Sequence, residues 1–466
     1  MKRFTNAIFS TGIISCLVFA TSVSALDEKM HAQLDELKSA AIHSNLSYDI
    51  IESLTTEVGP RMVGTPAEKK SVEWAVAKMK SLGFDKVWTE ESQAPDWQRG
   101  ELKVSLLAPF NHNLVALSLG NSVGTDTAPI EAQIAHFRDL DALKAADAQT
   151  LKGKIAYVAF AMERRKDGSG YGEAVGARVS GAAVAAEKGA VAFVMRSVGT
   201  DSHRFAHTGV MRYKDDSKQI PALALSNPDA DLLENALKRN QPVTMGITST
   251  ASGTLKETVT IANVIGEFTG SEQPDQVVTL GAHLDSWDVG TGAIDDGIGV
   301  GITLAAVNHI STMAQRPKRT IRVILFAAEE IGLLGAKDYV ARHKNNMDNH
   351  IIGAEWDFGN GTIYKLAPGM GENALVEIRK FAEYLAPMGV EMASTNNAKG
   401  QSDMSLLGEA GQPAVNFYPD GSDYFDYHHT ENDTLDKVNQ EALKINTAIY
   451  TTFAWYAANS GVDFRK

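Results

Sequence analysis

Thiol chemistry is almost absent from this 466-residue chain, whose only cysteine, Cys16, sits in an apolar N-terminal stretch. With no cysteine after residue 16, the body of the chain forms no disulfide within itself and offers no thiolate to a metal. Any metal there must be held by His, Asp and Glu. Positive charge is scarce as well: 44 Lys and Arg face 57 Asp and Glu, a formal charge of −13. That excludes the basic face on which nucleic-acid binding depends. The plain account of the acidity is solubility. Long apolar runs are missing too. Ile8 to Val23 falls short of the roughly 20 residues of a spanning helix, and Ser10, Thr11, Gly12 and Ser15 interrupt it.

That segment has another reading. Met1-Lys2-Arg3 is a short basic start, and Val23-Ser24-Ala25 has the small-x-small form accepted by signal peptidase. Residues 1–25 are therefore expected to be a signal peptide cut after Ala25, leaving a secreted or periplasmic protein with no membrane partner. Removing Lys2 and Arg3 with it takes the formal charge from −13 to −15.

The length exceeds what one hydrophobic core usually serves. Residues 28–43 and 66–83 have helical spacing, with Pro66 in a first-turn position and Gly83 as a stop. Between about 128 and 251 the texture changes: KIAYVAF (154–160), AVAFVMR (190–196) and IPALALS (220–226) read as strands around a Gly/Ala-rich helix, GARVSGAAVAAEKG. This is expected to be an inserted α/β domain (128–251), interrupting a larger domain made of 26–127 and 252–466. In the larger part QVVTLGAHL (276–284), TIRVILFAA (320–328) and HIIGAEWDF (350–358) are near-continuous apolar runs, as in strands buried on both faces. Helical segments near 297–314, 332–344, 372–386 and 439–458 follow or separate them. The expected fold class is α/β, a mixed, largely parallel sheet with helices on both faces.

In such sheets ligands gather at the carboxyl ends of the strands. There the sequence places His283 and Asp285, then Glu329-Glu330, then Asp357, while a fourth strand (412–419) leads to His428-His429. Singly, each has an ordinary explanation as a loop acid or a helix cap. Together they put many carboxylates at one sheet edge, with no Lys or Arg in 281–299, 324–335 or 351–361. Repulsion there needs a compensating charge, and divalent cations are the natural source. Mixed imidazole and carboxylate donors suit zinc better than calcium.

The order HLDS, GAIDDGIG, AAEE-x-G, Asp357 and HHTENDT resembles the M28 family of zinc exopeptidases, over about 277–436. The GPRMVGTP loop, and the inserted segment read as a protease-associated-like domain, extend the likeness over nearly the whole mature chain. The resemblance implies two zinc ions per chain and short peptides as substrates. It implies that His283 and Asp357 bind one zinc, that Asp295 bridges both, and that Glu330 and His429 hold the second. It further implies a cis bond between Asp295 and Asp296, and Glu329 as general base. His429 is preferred to His428 because the family's ligand directly precedes Thr or Ser. Asp285 is expected to orient His283 by accepting its second ring N–H. His428 stands where several members carry an oxyanion-stabilising Tyr, so it either takes that role or only packs. Ser402-Asp403-Met404 departs from the family's Ser-Asp-His, which leaves Asp403 a structural residue.

Aminopeptidase and carboxypeptidase or dipeptidase chemistry share these motifs. A non-catalytic binding ectodomain and a glutaminyl cyclase-like acyltransferase are the rival classes. The loops 203–213 and 418–427 are candidates for substrate contact. The sequence leaves a homodimer open.

Overall fold

The computed structural model describes residues 26–125, 128–214, 218–239, 241–252 and 257–466. The expected signal segment and Thr127 lie outside them. Among the described residues, two eight-stranded sheets organise the chain. The first runs, in spatial order, Lys86–Pro95, Thr258–Phe268, Arg319–Phe326, Gln273–His283, His350–Glu355, Ala414–Pro419, Ile363–Gly369 and Glu391–Met392. Its centre is parallel: Gln273–His283 pairs with Arg319–Phe326 on one side and His350–Glu355 on the other, and the latter pairs with Ala414–Pro419. Antiparallel strands flank that centre.

The apolar runs are strands because both faces are covered. On Arg319–Phe326, Ile321, Val323 and Leu325 join one core cluster with Val300 and Leu304 of the helix Ile298–Ser311. Ile324 and Phe326 point the other way, into a cluster with Ala336 and Tyr339 of Leu334–His343. The helix Gln440–Asn459 completes the first face and carries Glu28–Ile42 outside it. No helix among the described residues is long and apolar enough to cross a membrane.

Strand Thr258–Phe268, absent from the sequence reading, sits between Lys86–Pro95 and Arg319–Phe326. Its register sets Pro95 opposite Thr258, and just beyond it Gln98 bridges to Ser252. The second sheet hangs from this two-stranded neck. Leu102–Ala108, His112–Leu114 and Ala116–Ser118, all ahead of residue 128, pair into it alongside Ile130–Phe137, Ile155–Val158, Ala192–Arg196, Ala222–Leu225 and Thr244–Ser249. The helix Gly170–Glu187 packs on Ala192–Arg196.

Candidate metal centre and active site

The parallel strands release their chains at one edge, and the expected residues meet there. His283 ends its strand, Glu329 and Glu330 follow Phe326, Asp357 follows Glu355, and His428 and His429 follow a short turn after Pro419. His283, Asp295, Glu330, His428 and His429 are buried. The loop carrying Asp295 is shaped by Arg61, fully buried, which donates to the carbonyls of Leu284 (2.6 Å), Thr291 (2.8 Å) and Gly292 (2.9 Å). Gly292 takes a left-handed φ of 62°, which a side chain would resist. Asp433 accepts from the backbone N–H of Ile294 at 2.6 Å. Asp296, without an expected role, accepts from the N–H groups of His283 (3.1 Å) and Gly299 (3.0 Å). A Cβ on Gly299 would lie 2.3 Å from that carboxylate. The Asp295–Asp296 peptide is cis.

Asp295 stands at the centre. Its Oδ1 lies 3.0 Å from His283 Nε2 and its Oδ2 lies 3.4 Å from His429 Nε2. Asp357 approaches His283 Nε2 at 3.6 Å, and Glu330 approaches His429 Nε2 at 3.0 Å. Donor atoms of His283, Asp295 and Glu330 lie within 4.8 Å of one another, as do those of Asp295, His428 and His429. Both expected histidine ligands direct Nδ1 at a carbonyl, His283 at Asp285 O (3.0 Å) and His429 at Thr208 O (3.2 Å). A proton on each Nδ1 leaves Nε2 free as a donor to a cation. Glu330 Oε1 is buried with no hydrogen-bond partner, as fits a ligand atom whose partner is not a protein group.

One expected contact differs. The Asp285 carboxylate lies 3.8 Å from His283 Nδ1, and the residue's backbone carbonyl takes that N–H instead. The carboxylate accepts from the N–H groups of Glu329 (3.0 Å) and Glu330 (3.3 Å). Asp285 thus fixes the turn that presents both glutamates. His428 stacks on His429 with ring centroids 3.5 Å apart, and its Nε2 is 3.8 Å from Asp295.

The electrostatics show what is missing. Burial, then the charge of Asp357, pushes Glu329 up to about 8. Burial and Asp295 carry Glu330 well above the carboxylate range, and burial raises Asp357. Burial opposes charge on His283, yet hydrogen bonds to Asp295 and Asp357 hold its pKa well above the ordinary value. Burial and its stacked neighbour hold His429 well below, hence neutral. The Glu329 carboxylate also accepts a hydrogen bond from the Ser402 hydroxyl.

A cavity of about 330 Å³ opens onto the cluster, lined by Asp295, Glu329, Glu330, Asp357, His428 and His429. From the two candidate loops, Val210, Tyr424 and Phe425 reach it. His203 and Arg204 do not, and Arg204 instead pairs with Asp229 at 3.0 Å. Asp288 turns away to Arg99, at 2.6 Å. Tyr171 and Arg178 line the cavity and escaped the sequence reading, as did Gly332, Leu333 and Phe358. For Arg178 the available signal was a charged residue inside the otherwise small and apolar GARVSGAAVAA.

The profile of "Peptidase family M28" matches residues 263–454. Carboxypeptidase Q of Mus musculus is 31% identical over 417 residues, covering 90% of this chain and 86% of that protein. The chain belongs to peptidase family M28. It is therefore a hydrolase, a metallopeptidase by family, with peptides as the substrate class. Aminopeptidase YwaD of Bacillus subtilis (strain 168) is 25% identical over 470 residues, 96% of this chain and 92% of that one. Among solved structures, a peptidase M28 precursor from Shewanella amazonensis SB2B superposes with a TM-score of 0.92 at 47% identity, covering 95% of this chain and 99% of that one. A zinc aminopeptidase from Bacillus subtilis, at 21% identity and a TM-score of 0.65 over 91% and 98% of the two chains, shares the fold.

Proposed function

We propose that this M28 member is an exported dizinc exopeptidase that cleaves dipeptides or short peptides in the manner of carboxypeptidase Q. The observation that carries the reading is Asp295, whose two oxygens face different histidines, the arrangement of a carboxylate bridging two ions. His283 and Asp357 would complete one zinc site, Glu330 and His429 the other. The donor chemistry fits: neutral imidazole, carboxylate, no thiol, and an unpartnered Glu330 oxygen. When bound, zinc supplies the positive charge that acidifies a water and polarises the scissile carbonyl.

The chain's own residues do the rest. Glu329 sits at the cavity with its backbone N–H fixed by Asp285 and its carboxylate held by Ser402. It takes the proton of the attacking water on a carboxylate oxygen and returns it to the leaving amine. Thr208 and Asp285 carbonyls keep the histidine rings in the binding tautomer. The second-sheet unit, read as an inserted, protease-associated-like domain, leans over the site. Thr208 N–H donates to His429 O at 3.0 Å, and His207 Nδ1 donates to His428 O at 2.8 Å. That cover restricts the cavity to short chains.

Metal analysis coupled to a dipeptide panel tests this reading. Two zinc ions per chain and chelator-sensitive hydrolysis are expected. A purified protein with no bound metal and no chelator-sensitive hydrolysis would overturn it.

A further inference from the structure

The cavity contains a cation that this chemistry does not use. Arg178, on the helix Gly170–Glu187, is 5% exposed and lines the cavity with Asp295, Glu329 and His429. A guanidinium carries five N–H donors. Here Nη2 donates to the Tyr171 hydroxyl at 2.6 Å, while Nε is buried with no partner. Nη1 lies 3.5 Å from His429 Nδ1, a nitrogen already committed to Thr208 O, and so finds no acceptor there. Among the described residues no carboxylate forms an ion pair with Arg178. The other buried arginines behave differently. Arg61 is spread over four carbonyls, Arg319 over two glutamine oxygens and two carbonyls, Arg322 pairs with Glu267, and Arg196 pairs with Asp231 and Glu234.

A buried charge without a partner is costly, and this one is held in place rather than left mobile. Gly209 lies so close that a Cβ there would come within 2.4 Å of the guanidinium carbon. An anion entering the cavity would supply the partner.

We propose that Arg178, assisted by the Tyr171 hydroxyl, binds the free C-terminal carboxylate of the substrate and so makes the site a reader of carboxyl termini. The proposal rests on the peptidase reading above. Its reach follows from position. Arg178 Nη1 stands beside His429 Nδ1, while the Nε2 of that ring faces Glu330 and Asp295. A peptide advances about 3.3–3.6 Å per residue, so an anchor this near the reacting end accommodates one residue beyond the scissile bond. The carboxylate is taken by a planar, charge-assisted fork. Phe358 and Phe425 on the cavity wall offer an apolar surface to the side chain of that residue.

The test compares a dipeptide with its C-terminal amide in the zinc-loaded enzyme, in Arg178→Gln and in Arg178→Lys. The wild type should favour the free acid by about 100-fold in kcat/KM, and Arg178→Gln should bring the acid-to-amide ratio near one, mainly through KM for the acid. Arg178→Lys should recover part of the ratio. Binding of the same two compounds, measured by calorimetry in a zinc-loaded Glu329→Gln background, gives a readout independent of turnover. Equal affinity for acid and amide, or an equal loss on both compounds in Arg178→Gln, overturns the proposal. Hydrolysis of acid and amide alike by the wild type would do so while leaving the peptidase reading intact, whereas a protein that hydrolyses neither compound contradicts that reading instead.

Discussion

Two buried clusters of charge sit toward opposite ends of the same strands, and they are balanced differently. Toward the amino ends, Arg322 donates to Glu267 (2.6 Å) and to the Tyr339 hydroxyl (2.6 Å), Lys86 reaches the other Glu267 oxygen at 3.2 Å, and burial drives His350 down to about 3, so that it stays neutral. At the carboxyl ends, Asp295, Glu329, Glu330 and Asp357 crowd together, and Arg61, the buried cation nearest their loop, is spent on carbonyls. The first cluster is neutralised by residues the chain encodes. The second sets four crowded carboxylates against one encoded cation on the same cavity wall, Arg178, so its balance calls for charge from outside, and this imbalance, more than the number of acids, sets the two ends apart.

Breaking the outside balance should have the largest effect. In Asp295→Asn, zinc counted by elemental analysis should fall by at least one ion per chain, and dipeptide hydrolysis should drop below detection. Unchanged zinc occupancy would remove Asp295 from the bridging position. Glu329→Gln should keep both ions and the fold, yet lose about 10³-fold in kcat. A variant that loses metal as well would make Glu329 a ligand rather than a base.

The encoded balance should fail in another currency. Arg322→Met leaves the buried Glu267 with only the exposed Lys86 as counter-charge, and denaturant unfolding should show a loss of up to about 3–5 kcal/mol, with zinc content and kcat unaltered. A drop in zinc content would mean the two ends are coupled.

The smallest effect concerns acid. Native His350, with its pKa near 3, stays unprotonated where the unfolded chain, at about 6.5, takes up a proton. Its contribution is therefore complete above pH 6.5 and declines as pH falls toward 3. Between pH 6 and 4, the stability of wild type minus that of His350→Gln should shrink by about 1.4 kcal/mol per pH unit. A difference independent of pH would place a proton on His350 in the native state.

How much of this was legible in the sequence follows from what each residue depends on. The strands ending at His283, Phe326 and Glu355 are apolar on both faces, and that alone locates the edge where ligands gather. Thr258–Phe268 is buried from Ile261 onward, but its first residues are not and Asn263 and Glu267 interrupt the apolar run, so it carries no such mark. Leu102–Ala108 and Ala116–Ser118 pair with partners more than 100 residues away, a relation invisible in local pattern, so the strands of 102–118 read as part of the first unit. Asp285 was recognised as a neighbour of His283, but its backbone and side chain exchanged tasks, and only the turn at Glu329 decides which does what. Arg178 needed the fold itself, since its meaning lies in the partners it lacks.

The neck between Pro95 and Thr258 carries a genealogical consequence. Because those two residues face each other across one strand pair, the entire second sheet departs and returns at a single point, and a hairpin turn there would close an ancestor without it. Such an ancestor would keep His283, Asp295, Glu330, Asp357 and His429. It would lack the Thr208 carbonyl behind His429 and the guanidinium of Arg178. In such a chain the residues proposed for hydrolysis would all remain, and those proposed to read the end of a peptide would be gone, so the two tasks divide at the neck.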